Sequence, residues 1–175
     1  MFVETRKYWP LTVVFVLLSH DLNGQTAFRT TRASLTRALE LHESAVALYA
    51  APKRAAEAAG LHIEEAQHRA STDPEAVEAL IMAGNLFNYA QRPVSARRTL
   101  EQAAERALAM GDVRTAAQAY LNAAFIAHES GNRYEVQRLG RKAVLLMESP
   151  LLEPRDRSSI RNRFKVKSAF AALFK

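Results

Sequence analysis

Five histidines, His20, His42, His62, His68 and His128, are the side chains best suited to metal or proton chemistry in this chain. Glu65 and His68 stand three residues apart. That is the Glu-x-x-His spacing by which di-iron carboxylate bundles bring a carboxylate and an imidazole onto one helix face. Such a site needs a second pair and two further glutamates on facing helices. His42-Glu43 and His128-Glu129 lack the spacing, and His62 and His68, six apart, share a face poorly. A solvated helix face is the expectation for all these histidines, so no metal ligand and no cofactor is assigned. Cysteine is absent, which removes disulfides, zinc–thiolate sites, iron–sulfur clusters and thiol nucleophiles. There is no His-Glu-x-x-His, no nucleophile elbow, no phosphate-binding glycine loop and no dinucleotide fingerprint. Ser158-Ser159 lies among arginines but has no visible base, and a helix N-cap is the expected role. The chain reads as non-enzymatic.

The elements that would carry these residues are helices. The 175 residues fit one domain, 49% are hydrophobic and 24% charged, and Gly and Pro number only 6 each. Few turn residues argue against sandwiches and barrels. From about residue 31 the apolar spacing is helical and no segment has the two-residue period of a strand. Breakers divide the chain: Pro52, Asp73-Pro74, Pro93, Gly111-Asp112, Gly131-Asn132, Pro150 and Pro154. Helices are predicted at about 31–50, 53–70, 75–90, 94–110, 113–129, 132–148 and 155–173.

Those helices repeat. Leu80, Ala83, Gly84 and Phe87 are followed on the next helix by Ala96, Leu100 and Ala103. Tyr120, Ala123, Ala124 and Ala127 repeat the first spacing, and Val136, Gly140 and Ala143 the second. A weaker copy is Leu41, Ser44, Ala45 and Leu48, then Ala59, Ile63 and Ala66, with a turn two residues longer. The leading large residues, Leu41, Leu80 and Tyr120, therefore recur at a nearly constant interval. Small residues in the middle let two helices approach, and the large residue on either side fills the neighbour's groove.

This pattern resembles the tetratricopeptide repeat, over about residues 38–148. The Leu80 unit matches well, the Tyr120 unit carries Ala127 where the aromatic belongs, and the Leu41 unit matches least. The repeat here is longer than the family's by roughly five or six residues. The resemblance implies an all-α, right-handed stack of about three helix hairpins over 31–150, each burying its apolar face on the next. A plain antiparallel helical bundle with alanine-rich seams is the alternative. In that family the first helix of each hairpin lines a concave face that holds a segment of another protein. On those helices stand Asn85, Asn88, Gln118 and Asn122, candidate amide contacts to a peptide backbone, with Gln91 beside them. Asn85 and Asn122 are out of phase, so the family's carboxylate clamp is not expected.

The two ends differ from the body. The net charge is +6, yet residues 151–175 carry seven basic and two acidic side chains while the body balances. In this segment Ile160, Phe164, Phe170 and Phe174 fall near one helix face, and Arg157, Arg161 and Lys165 largely elsewhere. Such a basic amphipathic helix either docks on the last hairpin as a cap or binds an acidic membrane surface or partner. With no aromatic stacking platform and a neutral body, nothing points to nucleic acid. In residues 1–25, Arg6 and Lys7 precede an apolar run from Leu11 to Leu18. That is the layout of a secretory signal peptide, and the run is too short to span a bilayer. No A-x-A cleavage site follows, so a buried segment, an uncleaved anchor and a later true start remain alternatives. The expectation is an exported, non-enzymatic scaffold that binds a protein or peptide, with tail-mediated binding as the alternative.

Overall fold

The computed structural model describes residues 22–165. The expectations for residues 1–21 and for the tail beyond Lys165, including Phe170 and Phe174, lie outside the described residues. Among the described residues the α-helices run in chain order as α1 (Leu22–Ala47), α2 (Ala55–His68), α3 (Pro74–Tyr89), α4 (Pro93–Ala109), α5 (Val113–Glu129), α6 (Arg133–Met147) and α7 (Pro154–Lys165). Two short 3-10 turns, Leu48–Ala50 and Pro52–Arg54, join α1 to α2. The all-α expectation holds among the described residues. The first helix begins at Leu22, ahead of the expected 31, and the last is described to Lys165, its expected end at 173 lying outside the described residues.

Local chemistry sets the boundaries. The Asp73 carboxylate accepts from the Glu75 N–H at 2.9 Å, and Pro74 opens α3 where its missing N–H costs nothing. Asp112 accepts from Thr115 N–H at 2.9 Å and Asn132 from Glu135 N–H at 3.2 Å, starting α5 and α6. Helices α3, α4 and α5 end alike. Gln91, Gly111 and Gly131 all have φ between 59° and 79°. The next N–H then reaches back to the carbonyl one turn and more behind: Arg92 to Phe87, Asp112 to Ala107, Asn132 to Ala127, at 2.8–2.9 Å. The three stops, at 91, 111 and 131, are evenly spaced, so one helix plus one turn is the structural unit and two make the repeat.

Consecutive helices pack from α1 through α6 as antiparallel hairpins, and one continuous core runs from Ala66 of α2 through α3, α4, α5 and α6. The seams between helices are built of fully buried alanines, among them Ala45, Ala59, Ala83, Ala96, Ala103, Ala123, Ala124 and Ala143. Leu41, Leu100, Leu121 and Leu139 are the large side chains between them. Leu80 and Tyr120 are buried and Phe87 packs partly buried against the core, as the repeat spacing requires. Gly84 marks the closest approach. A Cβ there would stand 2.6 Å from Leu100 Cγ.

An ionic network ties α4 to α6. Arg138 grips both carboxylate oxygens of Glu101 at 2.5 and 2.7 Å, and Lys142 adds a bond of 2.9 Å. These cations hold the Glu101 carboxyl down to about 2, against an opposing push from burial. Lys142 also sits 4.9 Å from the centre of the Tyr120 ring. Helix α7 packs on α5 and buries Ile160 in the shared core. Ser158 is not the N-cap expected for it. Pro154 already opens α7, and the Ser158 hydroxyl donates back to the Pro154 carbonyl at 2.9 Å.

Candidate functional site

The most concentrated chemistry lies between α1 and α2. His62 and Glu65 are three apart on α2, so both project from one face, and His42 of α1 meets them there. The Nδ1 atoms of His62 and His42 lie 2.7 and 3.1 Å from Glu65 Oε2. The ligand atoms of these three residues all fall within 4.8 Å of one another. His62 is fully buried and Glu65 is 1% exposed, whereas 45% of the His42 side chain meets solvent. The solvated face expected for the histidines is therefore wrong for His62: the α1 helix closes over it. His68 takes no part in the cluster. The working pair on α2 is His-x-x-Glu, in the opposite order to the Glu65–His68 pair that the spacing suggests.

Outer contacts hold these groups in place. Tyr49, on the 3-10 turn after α1, has its hydroxyl 2.5 Å from His62 Nε2. Arg69 donates twice to Glu65 Oε1, at 2.9 and 3.0 Å, and continues to Asp73 at 3.2 Å and to Glu75. Burial alone would push the Glu65 carboxyl up. The bonds from His62 and Arg69, with the His42 charge, outweigh it, and Glu65 titrates below its ordinary value. Burial raises the Tyr49 phenol, and Glu65 raises it further.

The repeat shows what this cluster replaces. In register, His42 corresponds to Ile81 and Leu121, and His62 to Thr99 and Leu139. Leu121 and Leu139 are both fully buried. The third hairpin fills with leucines the two positions that the first fills with imidazoles, while Glu65 stands in register with Gln102 and Lys142. Stacking demands no polar group there, and burying one costs free energy unless every partner is supplied.

The other candidates are spread out. Asn85 is exposed, while Asn88, Gln118 and Asn122 are half-buried. The register aligns Val46, Asn85 and Phe125, then Glu43, Met82 and Asn122, then Leu39, Glu78 and Gln118. The amides thus share one strip of α1, α3 and α5 with Leu39, Val46 and Met82, which are 37–49% exposed. Asn88 lies beside that strip. Gln91 is the left-handed stop of α3. In α7, Arg161 is exposed, and Arg157 donates to the Ser149 carbonyl at 3.2 Å. Lys165 is the helix's last described residue. No protein-family model, curated protein or solved structure matches the chain.

Proposed function

We propose that this protein is a non-enzymatic binding scaffold, of the kind the tetratricopeptide resemblance implies, that holds a segment of another protein along α1, α3 and α5. The observation that carries this reading is the shared strip on those three helices. Its large apolar groups Leu39, Val46 and Met82 stay accessible, interleaved with Asn85, Gln118 and Asn122. Apolar anchors flanked by amides suit a peptide that buries side chains and offers backbone groups between them. The partner is then a segment with spaced apolar residues.

The test compares capture from native extract by the full chain and by a Val46→Glu/Met82→Glu variant. Both positions are exposed, so the fold should survive the change. A defined partner retained by the first and lost by the second is the expected result. Equal capture by both would refute the strip. Loss only on truncation after Glu153 would transfer binding to the tail. Burial of Ile160 in the shared core favours the capping role for the described part of that helix. Export is part of the same proposal, supported by Arg6 and Lys7 ahead of the Leu11–Leu18 run. N-terminal sequencing of the mature protein tests it. Among the described residues no helix is long and apolar enough to cross a membrane.

A further inference from the structure

We propose that His42, His62 and Glu65 form a binding site for a divalent transition-metal ion of the zinc class, which clips α1 onto α2. The inference is independent of the peptide-binding reading. Two imidazole nitrogens and one carboxylate oxygen, without thiolates, make a donor set that suits zinc, cobalt, nickel or copper better than magnesium or calcium. In a tetrahedral site with bonds of about 2.0–2.1 Å, neighbouring ligand atoms stand about 3.3 Å apart. The two nitrogens are 2.7 and 3.1 Å from Glu65 Oε2, so a small opening of the side chains admits the ion. The half-exposed His42 side chain leaves the fourth position open to water.

The surroundings fit the ion as well. Arg69 occupies Glu65 Oε1 and leaves Oε2 to face both imidazoles, which presets single-oxygen ligation. Tyr49 can either donate to or accept from His62 Nε2. When the ion takes the Nδ1 lone pair, the imidazole proton sits on Nε2 and the Tyr49 oxygen accepts it. Metal-bound histidines carry this second hydrogen bond almost invariably. Charge points the same way. Glu65, Asp73 and Glu75 all pair with Arg69, and with the Arg106 guanidinium beside them on the Ala66, Arg69 and Ala70 carbonyls the carboxylates still outnumber the guanidiniums. The third hairpin buries leucines at the two imidazole positions, so the histidines have a use other than packing.

The test uses the full, tag-free chain stripped with EDTA. Zinc is titrated by calorimetry and cobalt by visible absorption. The expected result is one ion per chain, with the intense cobalt bands of a four-coordinate site and a rise in Tm with zinc. His42→Ala, at a half-exposed position, should weaken binding at least about tenfold. His68→Ala, outside the cluster, should bind as the wild type does. Absence of saturable zinc binding overturns the proposal. So does His42→Ala binding as tightly as wild type, or cobalt showing only the weak bands of six-coordinate surface sites.

Discussion

Replacing Gly84 by alanine should destabilise the protein, although alanine is the better helix former. Both Gly84 and Gly60 lie inside helices, where Gly→Ala gains about 1 kcal/mol in an exposed position. At Gly60 a Cβ would meet nothing within 4 Å, so Gly60→Ala should keep that gain. At Gly84 the Cβ would lie 2.6 Å from Leu100 Cγ and 2.9 Å from its Cδ2, with the Ala96 carbonyl oxygen at 3.3 Å. Carbon atoms settle at about 3.5–4.0 Å, so roughly an ångström must open between α3 and α4. Leu100 is fully buried and the Ala96 backbone limits sideways escape. Overpacking of this kind costs about 1–3 kcal/mol, and the short contact to a branched carbon puts Gly84 in the upper part of that range. After the helix gain, a net loss of about 1–2 kcal/mol remains. Urea unfolding of the two variants should therefore differ by about 2–3 kcal/mol, or about 4–12 °C in Tm for a chain of this size. Leu100→Ala removes the clashing atoms. On that background Gly84→Ala should be neutral or stabilising, a coupling of at least about 1 kcal/mol. If Gly84→Ala stabilises as Gly60→Ala does, the argument from close helix approach fails.

The caps and the ionic network can be tested separately. Gln91 holds a left-handed conformation that costs a side-chain residue about 1 kcal/mol. Gln91→Gly, copying Gly111 and Gly131, should raise stability by up to that amount in urea unfolding. Asp112→Ala should lose about 1 kcal/mol, since the Thr115 N–H loses its acceptor, and hydrogen exchange should quicken first at the start of α5. Glu101 is held down to about 2 from an ordinary 4.5 by Arg138 and Lys142. A depressed carboxylate stabilises the fold above its unfolded value and loses that contribution as pH falls towards its folded one. The displacement corresponds to about 3 kcal/mol at full strength. Solvent around the partly exposed cations reduces the expectation to about 1–2 kcal/mol. Glu101→Gln should thus be less stable than wild type by that amount at neutral pH, and the gap should close as pH falls from 4.5 towards about 2. A constant gap across that window would show that the effect is steric.

The fold was legible because its rules are local. Evenly spaced breakers, caps at Asp73, Asp112 and Asn132, and small residues at fixed spacing are all readable along the chain. The structure returns α5 at its expected bounds and α3, α4 and α6 within a residue of theirs. The ends were less legible for physical reasons. Nothing between Leu22 and Thr31 breaks a helix except Gly24, so α1 starts earlier than its apolar period suggests. At α7, the preference of serine for caps points to Ser158, but Pro154 already serves as the helix start.

The histidine cluster was not legible for a different reason. Spacing on one helix finds pairs such as Glu65 and His68, but it cannot say which side of that helix the next one covers. His62 and Glu65 stand three apart in the sequence, and only the packing of α1 brings His42 to them from the preceding helix. The signal that would have found them lies in the repeat. Aligning Leu41 with Leu80 and Tyr120 puts His42 over Ile81 and Leu121, and aligning the second helices puts His62 over Thr99 and Leu139. A histidine pair standing where another hairpin buries two leucines is no solvated face. The least faithful copy of the repeat is therefore also the one with chemistry in it. Its departure from the pattern has one structural consequence: the seam between α1 and α2 carries buried ionisable groups beside its alanines and Leu41, where the α5–α6 seam buries Leu121 and Leu139. Conditions that protonate, metallate or strip those groups should act on the α1–α2 seam before they reach the rest of the stack.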